Sequence, residues 1–195
     1  MTDLYDRVVC DSADREAWML ARRPGLGASD VAAYAKPESW PLYLRAKLAH
    51  GTFTGNSYTD RGHRLEGPIL ASQGLQQNTL MFHAVDEPLF FATPDGVTDT
   101  ELAQVKTTKH AGGRRIRVPA AHRRQMWWEQ YVTGYDTTRY IVLRYDADGN
   151  PLTMEPEVVI FDRDDAEIRK LLNIARPVLA ALTEALAFER ATEGN

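Results

Sequence analysis

Cysteine is almost absent: Cys10 stands alone in 195 residues. One thiol excludes a disulfide framework, a cysteine-based zinc site and an iron–sulfur cluster held within one chain. It fits a reducing cytoplasm. The first residues, MTDLYDRVVCDSADRE, hold no apolar signal region, and no run is expected to reach membrane-spanning length. Internal repeats and low-complexity segments are missing as well. So is a basic balance: the formal net charge is −4, so a nucleic-acid surface here must be a local basic patch on an acidic body.

What is present is enough for a substantial core. Of the residues, 44% are hydrophobic, with four Trp, eight Tyr and six Phe. That size and composition predict a single domain over 1–195. Helix signals run from Asp11 or Ser12 to Arg22, where Pro24 and Gly25 follow. Ser29 is expected to cap a short helix through Ala35. Further helices are expected over 40–49 and 58–73, then strands over 79–84 and 88–93. After the central strand come a loop at 109–118, a helix over 119–133, strands over 137–145 and 153–161, and a long helix over 162–191. The units are thus N-terminal helices (11–74), a core of sheet and helix (79–161) and a C-terminal helix (162–191). The class is α/β, a small mixed β-sheet flanked by helices.

The chemistry centres on Phe90 to Thr108, read as strand, turn, strand. Pro94-Asp95-Gly96 is turn chemistry, with glycine tolerating a positive φ. Residues i and i+2 of a strand share a face, so Gln104 and Lys106 point the same way, toward Asp95. A carboxylate, a second oxygen ligand and an ammonium at strand ends suit Mg²⁺ and a phosphodiester. Read alone, the same stretch is an ordinary hairpin with a solvated lysine. Glu66, among Leu65, Ile69 and Leu70, is either an exposed helix charge or a third carboxylate for the metal. Gly27 and Ser29 open a helix N-terminus that suits a phosphate, with Arg22 just before it. The local sequence by itself favours a plain capped helix that begins after a loop.

Leu102 to Trp128 contains no acidic residue but holds Lys106, Lys109, Arg114, Arg115, Arg117, Arg123 and Arg124. Beside Asp95 and Lys106, this segregation favours a DNA-backbone track over a solvated loop.

Four blocks in order carry a family resemblance: RRPGLGASDVAA at 22–33, GHRLEGPIL at 62–70, TPDG with AQVKTT at 93–108, and PAAHRRQMWWEQYVTG at 119–134. They resemble the YqaJ and lambda-exonuclease branch of the PD-(D/E)XK nucleases. The resemblance implies a restriction-endonuclease-like core and a Mg²⁺-dependent enzyme, with Mn²⁺ substituting, that degrades duplex DNA from a 5′ end. Such enzymes leave a 3′ single strand for an annealing protein, and characterised members form ring-shaped trimers. By resemblance, Asp95 is the metal-binding Asp, Lys106 the catalytic Lys, Glu66 the helical Glu and Gln125 a Gln lining the site. Arg22 and Ser29 match the pair that holds the terminal 5′ phosphate. A phage or prophage origin and the cytoplasm of a bacterial host follow.

Gln104 departs from the pattern, which has Glu or Asp two residues before the lysine. Its carbonyl binds Mg²⁺ without bringing a negative charge. Two explanations stay open. One is an introduced, isosteric Glu→Gln change that traps DNA uncut. The other is a native residue of an attenuated enzyme or of a protein that only binds DNA ends. Glu101 is no substitute, since its odd offset from Gln104 places it on the opposite strand face. A structure-specific endonuclease is a further alternative.

Overall fold

The structure, a computed structural model, describes residues 3–31, 35–49, 57–109, 117–146, 148, 150–153 and 155–193, with side chains left out at 37, 57–64 and 193. Its strands form two four-stranded sheets rather than the one expected. The first has the order β1 (Val8–Asp11), β3 (Leu80–His83), β4 (Phe90–Ala92), β2 (Leu26–Gly27). The second runs β5 (Gly96–Val97), β6 (Leu102–Lys109), β7 (Thr137–Tyr145), β8 (Glu157–Asp162). Both are mixed: β2 lies parallel to β4 and β6 parallel to β7, while the other pairs are antiparallel. Five α-helices surround them among the described residues: α1 (Arg15–Arg22), α2 (Trp40–Leu48), α3 (Ser57–Ser72), α4 (Ala120–Thr133) and α5 (Asp165–Glu193).

β1 and β2 escape the sequence reading for a physical reason. Each is too short to show period-2 alternation, and both are defined by their partners in the sheet. Several ends also move. Asp14, not Asp11 or Ser12, caps α1, accepting from Ala17 N at 3.0 Å. Ser29 sits inside a 3-10 turn, Ala28–Asp30, whose entry is closed by Asp30 accepting from Gly27 N at 2.8 Å; the short helix expected after it falls on 32–34, outside the described residues. The last strand begins at Glu157 rather than at 153.

The parallel β6–β7 pair has to be joined by a crossover, and α4 provides it. β6 is therefore covered on both faces. Ala103 and Val105 pack with Ile69 and Leu70 of α3 and with Ile141 and Leu143. On the other face Tyr140 and Val142, the register partners of Gln104 and Lys106, pack on Met126 of α4. This arrangement aims Gln104 and Lys106 toward α4.

The largest apolar cluster joins α4, α5 and the first sheet. Trp128 is fully buried there; its Nε1 donates to Phe91 O at 2.9 Å, and its ring meets Phe90 edge-on at 4.8 Å. Trp127 is only partly buried. Arg7 closes the end of α4, donating to Val132 O at 2.5 Å, Thr133 O at 2.8 Å and His83 O at 2.7 Å. These bonds satisfy carbonyls that a helix end leaves open.

α5 corrects the expectation about apolar runs. Asp165–Thr192 holds a stretch long and apolar enough, by length and composition alone, to cross a membrane. Ile168, Leu171, Leu172, Ala175, Val178, Leu179, Leu182 and Leu186 instead form one buried stripe against the core, at the spacing of an amphipathic helix.

Candidate active site

Asp95 lies between β4 and β5, in a segment held by its neighbours. Asn78 N donates to Asp95 O at 2.9 Å, and Asn78 Nδ2 donates to Pro94 O at 2.9 Å. Gly96 serves this turn differently from the sequence reading. Its φ is not positive; it pairs in β5, and a Cβ there would meet the Ala103 Cβ at 3.1 Å and Gln76 O at 3.2 Å. Close approach of chains, not a left-handed turn, requires the glycine.

The carboxylate of Asp95 faces β6. Its Oδ2 accepts from Val105 N at 2.6 Å and from the Gln104 amide. Gln104 is buried, and its Oε1 accepts from Gln125 Nε2 at 2.7 Å. Gln125 Nε2 also donates to Glu129 Oε1 at 2.9 Å. A chain of side chains thus runs Asp95–Gln104–Gln125–Glu129 from the strand edge to the middle of α4.

Glu66 enters from α3, where Gln77 Nε2 donates to its Oε1 at 2.9 Å. Burial first, then the Asp95 charge, pushes its carboxyl up to about 7, while Gln77 and Lys106 pull the other way. Asp95 and Glu66 are therefore close enough to repel, the usual sign of carboxylates that share a site. Lys106 of β6 acts electrostatically on Glu66, on Glu129 and on His122. Burial, then Lys106, drives the His122 ring down to about 4, with Nδ1 2.7 Å from Tyr140 Oη. A neutral imidazole borders the site at neutral pH.

Arg22 and Ser29 meet as expected. Arg22 Nη2 donates to Ser29 Oγ at 3.1 Å and pairs with Asp30 Oδ2 at 3.2 Å. Its guanidinium lies over the Trp18 ring, 4.4 Å from the centroid. A Cβ on Gly27 would stand 3.0 Å from Arg22 Nη2, so glycine makes room for the guanidinium. Lys47 pairs with the same Asp30 oxygen at 3.3 Å. Burial raises the Asp30 carboxyl, but Arg22, Lys47 and the Gly27 N–H outweigh it and hold it below the usual range. A cavity of about 90 Å³ connects this basic corner to the helix: its lining includes Trp18, Arg22, Ser29, Thr93, Gln125 and Glu129.

The basic track is less complete. Lys109 ends β6, exposed, and Arg117 is exposed ahead of α4. Arg114 and Arg115 lie outside the described residues. Sequence reasoning missed Asn78, Gln77, His122 and Glu129. Glu129 carried one visible signal: it is the acidic residue that ends the acid-free stretch, four residues after Gln125 and so on the same face of α4.

Divalent-cation chemistry fits these donors in a limited form. Among the described residues no three Asp, Glu, His or Cys side chains converge on one point. Mg²⁺ commonly takes one or two carboxylates and keeps several waters, which suits Asp95 with Glu66. Gln104 as it stands turns its NH₂ toward Asp95 and its carbonyl toward Gln125.

No family model and no curated protein matches the chain. Solved structures do. The chain is similar to an alkaline exonuclease from Laribacter hongkongensis (TM-score 0.70, 23% identity, covering 92% of this chain and 98% of that one). The same exonuclease in complex with dAMP gives a TM-score of 0.69 at 20% identity, again covering 92% and 98%. A phage-related exonuclease from Haemophilus somnus is similar at a TM-score of 0.66 and 14% identity, covering 85% and 96%. Over nearly its whole length, then, the chain has the fold of phage-type and alkaline exonucleases, the same group that its four sequence blocks resemble.

Proposed function

We propose that the chain is a metal-dependent 5′→3′ exonuclease acting on double-stranded DNA ends, in a phage-type recombination system, leaving 3′ single strands for an annealing protein. The observation that carries this reading is one cavity lined by Arg22 and Ser29 together with Gln125 and Glu129. Gln125 hydrogen-bonds to Gln104, which in turn meets Asp95, so the phosphate-binding pair and the acidic site are joined through α4. An end-cutting enzyme needs that pairing: one element to bind the terminal phosphate and one to attack the next phosphodiester.

Asp95 and Glu66 would hold Mg²⁺, with Gln104 contributing oxygen if its amide turns over. When bound, the metal polarises the scissile phosphoryl group and lowers the pKa of its water. Lys106 stabilises the charge that builds on the phosphoryl oxygens. Arg22, stacked on Trp18, grips the terminal phosphate in a planar fork while Ser29 donates a hydroxyl. Lys109 and Arg117 lie along the backbone, and Arg114 and Arg115 are assigned to the same track. By the family resemblance the working form is a homotrimer.

Polarity tests this reading. A linear duplex labelled at one 5′ or one 3′ end is digested with Mg²⁺, beside a closed circle. Early loss of the 5′ label, with the circle intact, is expected. Cutting of the circle would give the endonuclease alternative; end binding with no loss of label would give the non-catalytic alternative. The amide that Gln104 presents to Asp95 is the observation that favours the second of these.

A further inference from the structure

Position 104 brings no charge to a site whose chemistry wants one, yet a carboxylate stands two hydrogen bonds away. Glu129 is fully buried, and its Oε1 is tied through Gln125 to Gln104. Its Oε2 is buried with no hydrogen-bond partner, although it belongs to a residue lining the cavity shared with Arg22 and Ser29. An unpartnered buried carboxylate oxygen is costly, and packing alone gives no reason to keep it.

We propose that Glu129 is a positioning residue that supplies, from α4 and through Gln125, the acidic charge that Gln104 fails to add to those of Asp95 and Glu66 at the cation site. This rests on the nuclease reading above. The electrostatics agree in sign. Glu129 feels the negative charge of Asp95. A group that feels Asp95 also feels a dication held by Asp95, with the opposite sign and twice the charge. Repulsion in the metal-free protein thus becomes attraction in the loaded one. The Gln125 NH₂, donating to both Glu129 Oε1 and Gln104 Oε1, carries the effect to Gln104 and fixes its orientation. Gln104 is then a native residue compensated by a carboxylate on the neighbouring helix, rather than the mark of a dead enzyme.

Mn²⁺ titration followed by electron paramagnetic resonance, on the full chain without DNA, tests this. Glu129→Gln is nearly isosteric, and losing an outer partner of a metal site should weaken Mn²⁺ binding roughly 10- to 100-fold. The swap Gln104→Glu with Glu129→Gln returns one charge to the site and should restore the affinity, along with Mg²⁺-dependent turnover. Unfolding curves at pH 4 in chelator, where Glu129 is protonated in both folded and unfolded states, check that the variants fold alike. Unchanged Mn²⁺ affinity in Glu129→Gln overturns the proposal. So does a loss that the swap fails to rescue, since Glu129 would then be structural. If the unmodified chain takes up no Mn²⁺, the metal reading itself fails, before any variant enters.

Discussion

The burial of Glu129 makes a quantitative demand on stability in the absence of any metal. Burial, then Asp95, lifts its carboxyl from 4.5 to about 8 in the folded chain. The folded state therefore keeps a proton that the unfolded state has released. Stability from this group is fully present below about pH 4.5 and is lost as pH rises through about 8. At about 1.4 kcal/mol per pH unit, that lift amounts to an upper bound of about 5 kcal/mol. Glu129→Gln removes the titration while keeping the shape and the contact with Gln125. The two proteins should unfold alike at pH 4, and the variant should be the more stable by up to about 5 kcal/mol at pH 9. Urea unfolding in chelator reads this directly; with a slope of about 2–3 kcal/mol per M, the midpoints should part by up to about 2 M. Glu66, lifted in the same direction, is common to both proteins and cancels. A difference that does not change with pH would refute the reasoning.

Lys106→Met should lower turnover by about 10²–10³ while DNA-end binding, read by fluorescence anisotropy, persists. Arg22→Ala or Ser29→Ala should erase the preference for a 5′-phosphorylated end over a 5′-hydroxyl end, measured as the ratio of initial rates on the two duplexes. Trp128→Ala removes a fully buried ring and a hydrogen bond to Phe91, and should cost about 3–5 kcal/mol in denaturant unfolding.

The long periodic elements were legible in the sequence. β7 begins and ends where its alternation does, and α4 and α5 follow from apolar spacing and flanking breakers. The contact between Asp95 and Gln104 followed from strand parity, whereas Arg22 and Ser29 were paired only by the family resemblance. The four-residue β1 and two-residue β2 were not legible, because pairing rather than local pattern defines them. Gly96 was read as a turn residue when its role is to let β5 approach Ala103 and Gln76, a distance no local rule contains. Glu129 was hidden by the commonest fate of its residue type, exposure on a helix. Its meaning appears only once β6 and α4 are stacked and Gln125 is seen between Gln104 and Glu129.

The central claim is that Asp95 organises a metal-dependent nuclease site. Its most direct measurement is release of acid-soluble nucleotides from a linear duplex bearing 5′ phosphates, with Mg²⁺ and with chelator, by this chain and by Asp95→Asn. The account predicts release by the chain with Mg²⁺ only, and none by the variant, with both proteins binding the DNA end. Equal release by the two proteins, or release that survives the chelator, would contradict it.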